Sequence, residues 1–264
     1  MNKIVLITGA TSGFGEASAR KFASEGGYNI IITGRRKERL EALKQELESG
    51  ASGTTRTSGA EPVKVWPLVF DVQDKEAVFS AIGNLPAAWK KIELLVNNAG
   101  LSLGRDLFQD ASLDDWEIMI DTNVKGLLYV SKAVIPLLIA QKKGHIINVG
   151  SIAGKEVYEK GNVYCASKHA VDAISKAMRI DLLSHGIRVT AIHPGAAETE
   201  FSNTRFKGDE QLAQKVYEGY TPLRAEDVAD VIYYCTSLPS HVCINDLTLT
   251  CTAQANAFYL YKNA

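Results

Sequence analysis

Short apolar runs alternate along the chain with longer stretches in which apolar residues recur at helical spacing. The short runs are rich in Ile, Val and Leu on both faces, which is typical of parallel strands covered by helices on each side. Repeated alternation of this kind predicts right-handed crossovers and a doubly wound α/β sheet. The predicted strands are 4–8, 28–33, 63–70, 93–97, 145–149 and 188–193, with 246–249 as a candidate final strand. The predicted helices are 14–25, 36–48, 74–84, 113–142, 162–184 and 225–237.

One segment interrupts this alternation. Residues 49–61 are rich in Gly, Ser and Thr and indicate a flexible surface excursion before the third strand. A linker between domains is the alternative, but the residues before it supply too few strands for a separate domain. We therefore expect one domain over residues 1–264, with a polar substrate loop at about 196–222 after the sixth strand.

A glycine-rich turn joins the first strand to the first helix. Its residues are Gly9, Ala10, Thr11, Ser12, Gly13, Phe14 and Gly15. Glycines at this spacing let the backbone approach a pyrophosphate, whose charge meets free N–H groups at the helix N-terminus. Such a loop can also be no more than a turn, because glycine is the default residue for positive φ. Its position between a strand and a helix favours dinucleotide binding.

Two arginines end the second predicted strand. NAD-binding units place an acidic residue about twenty positions after the glycines, to accept from the ribose 2′-hydroxyl. Here Arg35 and Arg36 occupy that place. Their guanidinium groups would pair with the 2′-phosphate of NADP. The alternative is that both are solvated residues at the start of the next helix. The absence of a carboxylate at this place favours NADP over NAD.

Tyr164 and Lys168 are four residues apart on a predicted helix and so share one face. A tyrosine with its ordinary pKa near 10 is a poor base at neutral pH, and a nearby ammonium stabilises the phenolate. Ser151 follows the strand 145–149, at the carboxyl edge where open α/β sheets bind ligands. Its hydroxyl is placed to hold a substrate oxygen beside the phenol. Asn123 interrupts a predicted helix, which indicates either a functional role or a solvated face.

Taken in order, these motifs resemble those of the short-chain dehydrogenase/reductase family. The matching residues are Thr8-Gly9-x-x-x-Gly13-x-Gly15, Asn97-Asn98-Ala99-Gly100, Asn123, Ser151, Tyr164-x-x-x-Lys168 and Pro194-Gly195-x-x-x-Thr199. Any one of them is weak, but all six in order over the whole chain are specific.

The resemblance implies a Rossmann-type, seven-stranded sheet in the order 3-2-1-4-5-6-7. It implies that Tyr164 is the general acid/base, that Lys168 lowers its pKa and holds the nicotinamide ribose, and that Ser151 orients the carbonyl. Asn123 would anchor a water in a proton relay. The resemblance also implies a set of cofactor contacts, at Asp71 and Val72 for the adenine, at Asn98, Ala99 and Gly100 along the cofactor, and at Pro194, Gly195 and Thr199 around the carboxamide.

Further segments resemble one branch of that family, the NADP-dependent 3-hydroxy acid dehydrogenases. They are 13–16, 33–40, 115–117 with 119–123, and 199–203 with 205–209. That branch acts on serine, allo-threonine and 3-hydroxypropionate-type compounds, and sulfoacetaldehyde reductases are similar. A 3-oxoacyl-thioester reductase is a second enzymatic possibility, and a catalytically idle NADP-binding regulator is a non-enzymatic one. His193, before Pro194, is interpreted as a packing residue.

The composition of the chain argues against several classes of function. Twenty-nine basic and 30 acidic residues leave a net charge of −1, which argues against nucleic-acid or membrane-surface binding by bulk charge. Ser131, Lys132 and Pro136 interrupt the longest apolar stretch, so we expect no membrane span. The four cysteines and five histidines lack metal-ligand spacing, and no metal is expected. We expect a cytoplasmic protein, and the resemblance implies a homodimer or homotetramer formed through helices 113–142 and 162–184.

The substrate's acid group needs a cation. Arg205, in the polar loop, is our candidate for binding that group, with Lys207 as a solvated neighbour. An ion pair of Arg205 with Glu198, Glu200 or a partner subunit is the alternative.

Overall fold

The computed structural model describes residues 2–50 and 62–263. Its centre is a seven-stranded, fully parallel sheet in the order β3-β2-β1-β4-β5-β6-β7. The predicted order is therefore confirmed. The strands are β1 (Lys3–Ile7), β2 (Tyr28–Gly34), β3 (Val65–Val69), β4 (Ile92–Asn97), β5 (Gly144–Val149), β6 (Ile187–Pro194) and β7 (Asp246–Leu249). Each predicted strand appears with its ends within two residues of the prediction.

Helices cover both faces of the sheet. They are α1 (Gly13–Glu25), α2 (Lys37–Ser49), α3 (Lys75–Gly83), α4 (Leu113–Ile120), α5 (Leu127–Gln141), α6 (Asn162–Asp181), α7 (Glu200–Arg205), α8 (Glu210–Lys215) and α9 (Ala225–Ser237).

Side chains alternate between the two faces along each strand. In β1, Val5 and Ile7 pack into the core beneath α1, α2 and α9, whereas Ile4 and Leu6 pack into the core beneath α3 and α5. Because both faces of a central strand are buried, its sequence is a continuous apolar run.

The predicted helix 113–142 forms, but its winding changes partway along. Residues Asp121–Gly126 form a π-helical turn between α4 and α5, which the sequence pattern did not reveal. The continuous helical stretch Leu113–Gln141 is long and apolar enough to cross a membrane by length and composition alone. Here its apolar residues Val130, Val134 and Leu138 are fully or almost fully buried in the core beside the sheet.

The polar segment 196–222, predicted as a substrate loop, contains two short helices, α7 and α8. Thr199 caps α7 by accepting from the Phe201 N–H, and Asp209 caps α8 by accepting from the Leu212 N–H. Both helices are only six residues long, too short to show an apolar period in the sequence.

The predicted excursion at 49–61 begins later than expected. Ser49 still belongs to α2, and Gly50 ends that helix in the left-handed conformation with φ of 74°. The rest of the predicted excursion lies outside the described residues.

Candidate active site

A cavity of about 1110 Å³ opens at the carboxyl ends of β1, β4, β5 and β6. This is the edge at which open α/β sheets bind ligands. All of the predicted site residues line it except Gly15 and Asn123, which lie directly behind its wall.

The glycine-rich turn forms one wall by close backbone contact. Gly9 and Gly13 have φ of +67° and +54°, a conformation that side chains disfavour. A Cβ atom at Gly15 would collide with the carbonyl oxygen of Gly9 and with Asn98. The Asn98 amide donates to the carbonyl oxygens of Thr8 and Gly9 at 2.9 and 3.2 Å. The turn is thus locked to the end of β4, and only small residues leave this cradle open.

Two arginines after β2 face this turn. Arg36 donates to the Thr11 hydroxyl, the Thr11 carbonyl and the Ser12 hydroxyl at 2.9–3.1 Å. The Arg35 side chain is 65% exposed, and it makes a 3.3 Å ion pair with Asp71. Asp71 also accepts from the Gln73 N–H, and Val72 follows it in the cavity wall. A positively charged end of the cavity results.

Two charged residues at this end were missing from the sequence-based site. Arg39 donates to the Thr11 carbonyl at 3.3 Å, and Glu200 accepts from both Arg36 and Arg39, at 2.9 and 2.6 Å. Arg39 lies one helical turn after Arg36, and that spacing was the available signal. Glu200 is 164 residues from Arg36, so only the tertiary structure brings it here.

Tyr164 lies at the other end of the cavity, in the first turn of α6. The residue is 7% exposed, and burial raises the pKa of its phenol above the ordinary value of 10. A hydrogen bond with the Ser151 side chain and the charge of Arg205 act in the opposite direction. Ser151 follows β5 and accepts from the Ala153 N–H at 3.1 Å. Ser151 and Tyr164 therefore meet in the cavity, as predicted from their places in the sequence.

Lys168 is one turn further along α6 and is almost fully buried. Its ammonium donates to the carbonyl oxygen of Val149 at 3.0 Å, and burial lowers its pKa to about 8. Burial is the largest influence on Tyr164, so the lowering of its pKa by Lys168 stays a prediction.

Asn123 is buried in the π-helical turn, which contradicts the alternative of a solvated face. Its carboxamide accepts from the Leu101 N–H at 2.8 Å and donates to the Leu101 carbonyl at 2.8 Å and to Ser167 at 3.0 Å. Its carboxamide oxygen would be 3.1 Å from a Cβ at Gly100, so it supports the cavity wall from behind. π-Helical turns occur frequently at functional sites.

Arg205 ends α7 over the tyrosines. Its guanidinium lies 5.5 Å from the Tyr164 ring centre and donates to the Tyr158 hydroxyl at 2.8 Å. The buried Nε of Arg205 has no hydrogen-bond partner among the described residues. Of the alternatives for Arg205, a pair with Glu200 is wrong, since Glu200 pairs with Arg36 and Arg39. The described residues show no ion pair of Arg205 with Glu198, and a pair with a partner subunit stays a prediction. Lys207 is not simply solvated, because it forms a 2.8 Å ion pair with Asp115.

The interpretation of His193 as a packing residue is incomplete. It is fully buried, with Nδ1 3.2 Å from the Ser151 carbonyl oxygen and Nε2 3.2 Å from Asp246. Asp172 lies 3.6 Å away, and the Lys155 ammonium binds both carboxylates at 2.8 Å. This charged cluster supports the backbone of Ser151 from below.

The C-terminal tail also lines the cavity, which the sequence did not indicate. Gln254 accepts from the Ala196 N–H at 2.8 Å, next to Gly195. Ala257, Phe258 and Leu260 continue this wall. Thr199, in the same wall, lies close to Gly13, whose added Cβ would be 3.5 Å from the Thr199 side chain. The substrate end is therefore enclosed from several directions.

Comparison with known proteins identifies the class. Residues 3–210 match the family model described as short chain dehydrogenase. The chain therefore belongs to the short-chain dehydrogenase family and is an oxidoreductase of that family.

Its relatives are similar over almost their whole length. Sulfoacetaldehyde reductase 2 of Chromohalobacter salexigens is 47% identical over 256 residues, which cover 97% of this chain and 96% of that protein. The NADP-dependent 3-hydroxy acid dehydrogenase YdfG of Salmonella typhi is 46% identical over 255 residues, covering 96% and 97%. The closed form of a serine dehydrogenase complexed with NADP+ is similar with a TM-score of 0.88 and 44% identity, covering 99% of this chain and 100% of that chain.

Proposed function

We propose that this oxidoreductase uses NADP(H) to interconvert small 3-hydroxy acids and their 3-oxo acids or semialdehydes. The observation that carries the proposal is the guanidinium of Arg205 beside the phenol of Tyr164, with a buried N–H free of protein partners in the described chain. A substrate anion on Arg205 would place a nearby carbon–oxygen group at the phenol. A cytoplasmic location remains part of this proposal.

The residues at the other end of the cavity fit the cofactor. A Cβ at Gly15 would collide with the glycine-rich turn, and its absence keeps that turn close to the N-terminus of α1. The turn and the helix N-terminus together offer a place for a pyrophosphate. Arg35 and Arg36 supply guanidinium groups for a 2′-phosphate, and Arg39 adds positive charge. When bound, the nicotinamide supplies the hydride chemistry. The names of two relatives, the YdfG dehydrogenase and the serine dehydrogenase complex, include NADP.

Tyr164 holds the transferable proton. Because burial raises its pKa, the phenol is neutral at physiological pH and is ready to donate to a carbonyl oxygen. Ser151 shares a hydrogen bond with it and orients that oxygen. In the oxidative direction Tyr164 must lose its proton first, and the Lys168 ammonium below about pH 8 favours this.

A sulfonate is the second anion that this site supports. The 47% identical relative is named a sulfoacetaldehyde reductase, and a guanidinium binds carboxylate and sulfonate oxygens alike. The test is steady-state kinetics with NADP+ over serine, 3-hydroxypropionate, 3-hydroxybutyrate and isethionate. We expect the highest kcat/KM with a 3-hydroxy carboxylate. A preference for isethionate would assign the sulfonate, and no turnover with any of the four would refute the proposal.

Assembly into a homodimer or homotetramer is part of the same proposal. Leu113 and Leu128, on the predicted interface helices, expose 67% and 40% of their surface, and Ile180 and Leu183 near the end of α6 expose 75% and 74%. Large exposed apolar side chains on neighbouring helices are typical of subunit interfaces. Light scattering coupled to gel filtration would measure the assembly, and a monomer at micromolar concentration would contradict it.

A further inference from the structure

The short helix α7 connects the two ends of the cavity. It begins at Glu200 and ends at Arg205, so its ends are separated by roughly 8 Å at the α-helical rise. Arg205 lies over the Tyr164 ring, and the Phe201 ring centre is 5.7 Å from that ring. Glu200 faces the opposite end, where the glycine-rich turn lies. A shift of this helix would therefore move the residue assigned to the substrate anion.

Glu200 attaches the helix to the cofactor wall. One carboxylate oxygen accepts from Arg36 at 2.9 Å and the other from Arg39 at 2.6 Å. Burial acts to raise the pKa of Glu200, but hydrogen bonds from Arg39 and Arg36 hold it below its ordinary value. The carboxylate is thus ionised and double-paired at neutral pH.

The two arginines are themselves fixed to the glycine-rich turn. Arg36 donates to both the side chain and the backbone of Thr11, and Arg39 donates to the Thr11 carbonyl. The Arg35 side chain, by contrast, is 65% exposed, and its one ion pair within the described residues is the 3.3 Å contact with Asp71. Of the three guanidinium groups, Arg35 is the one most available to a ligand.

We propose that Glu200, through Arg36 and Arg39, is an ionic latch that fastens α7 over the active site and so positions Arg205 for the substrate anion. The inference rests on the proposed function. It makes Glu200 a positioning residue: its contribution appears in substrate binding and not in the chemical step. It also separates the roles of two arginines at the basic end of the cavity: Arg39 holds α7 in place, and Arg35 binds the cofactor.

The test compares Glu200→Gln with a matched control, Glu198→Gln, an exposed acidic residue two positions earlier. At saturating NADP+, Glu200→Gln is expected to raise the KM for 3-hydroxypropionate about fivefold, the scale of two partly exposed ion pairs, with kcat changed less than twofold. The control is expected to match the wild type. Arg39→Gln should raise KM similarly, and the double variant should add little to either single change.

A second measurement needs no turnover. Amide hydrogen exchange of the full chain should become faster across 196–222 in Glu200→Gln but not in Glu198→Gln, while exchange in α9 stays unchanged. Titration of NADP+ by tryptophan fluorescence should give a Kd no weaker than that of the wild type, because both guanidinium groups proposed for the 2′-phosphate, Arg35 and Arg36, remain in Glu200→Gln.

Two results would overturn the latch. Tighter NADP+ binding by Glu200→Gln at unchanged KM would mean that the carboxylate competes with the cofactor's phosphate. Unchanged KM and unchanged exchange would mean that the ion pairs do not hold α7. A wild type without NADP-linked turnover of hydroxy acids would instead refute the proposed function, and the exchange comparison would still decide the latch.

Discussion

At the scale of single residues, the proposed proton transfer depends on the buried phenol of Tyr164. Tyr164 is buried beside Ser151, and burial raises its pKa, so it is a proton donor in its resting form. A neutral phenol supports proton donation in the proposed reduction, and in the proposed oxidation the positive charge of Lys168 would assist the loss of that proton.

Replacement of Tyr164 by Phe tests this role. Tyr164→Phe removes the transferable proton but little of the cavity wall, so kcat should fall on the order of a thousandfold or more while NADP+ affinity stays nearly constant. Stopped-flow kinetics and fluorescence titration measure the two quantities. Tyr28→Phe, at a buried tyrosine in the core away from the cavity, is the matched control for loss of a phenol hydroxyl. A Tyr164→Phe enzyme that retains more than a tenth of the rate would exclude Tyr164 as the acid/base.

The proposed contact of Arg205 with the substrate anion is tested at the same scale. Arg205→Ala should lower kcat/KM for 3-hydroxypropionate by about 1.5–3 kcal/mol, the range for a lost charged hydrogen bond. An uncharged alcohol of the same size should be almost unaffected. Lys207→Ala, which removes a cation already paired with Asp115, is the control. Equal losses on both substrates would show that Arg205 shapes the site and that the anion is bound elsewhere.

At the scale of elements, we expect the β2–α2 junction to determine the preference for NADP+ over NAD+. Arg35 follows Gly34 at the end of β2 and reaches the cavity with most of its surface exposed. Arg35→Asp should weaken NADP+ binding by a few kcal/mol, because a phosphate contact is replaced by repulsion, while NAD+ gains relative to NADP+. Lys37→Asp makes the same charge change two residues later on an exposed position. If the two variants shift the NADP+/NAD+ affinity ratio equally, Arg35 acts only through general charge.

The π-helical turn is a second element whose sequence is explained by its contacts. Asn123 binds both backbone groups of Leu101 and the Ser167 hydroxyl. Asn123→Ala would leave these buried groups unpaired and should lower the free energy of unfolding by about 1–3 kcal/mol. Urea denaturation measures the loss. Asn84→Ala, at the exposed end of α3, should change it by less than about 0.5 kcal/mol. Equal changes would mean that water replaces the lost contacts.

At the scale of the whole molecule, buried histidines connect stability to pH. His145 is fully buried in β5, where its Nε2 lies 2.8 Å from the Thr190 hydroxyl. Burial, aided by the charge of Arg188, lowers its pKa from 6.5 to about 3. Below pH 6.5 His145 binds a proton in the unfolded chain but stays neutral in the folded protein. This contribution to stability is thus complete above pH 6.5 and is lost as the pH falls toward 3.

The expected slope from His145 is at most about 1.4 kcal/mol per pH unit within that window. His145→Gln should flatten the dependence of unfolding free energy on pH between 6.5 and 4, whatever it does to the stability at pH 7. His241→Gln, at an exposed position, should leave the slope unchanged. Parallel pH profiles for the wild type and His145→Gln would show that His145 is not the titrating group.

The local sequence determined the alternation of strands and helices, the open cradle of glycines and the meeting of Ser151 with Tyr164. These features follow from short-range rules: apolar period identifies each element, and parallel strands bring their carboxyl ends to one edge. The spacing of Tyr164 and Lys168 works in the same way, because residues four apart share a helix face.

Only the tertiary structure decided which charges meet. Glu200 pairs with Arg36 and Arg39, Arg205 rests on Tyr158 and Tyr164, and Gln254 of the tail binds Ala196. The partners are separated by 41 to 164 residues, and no local period connects them. The helices α7 and α8 also depend on the tertiary structure. A helix of six residues is stabilised by packing against the rest of the protein and not by its own helix propensity. The proposed substrate site is built from these long-range contacts, and for that reason the residue pattern predicts the reaction class more sharply than the substrate.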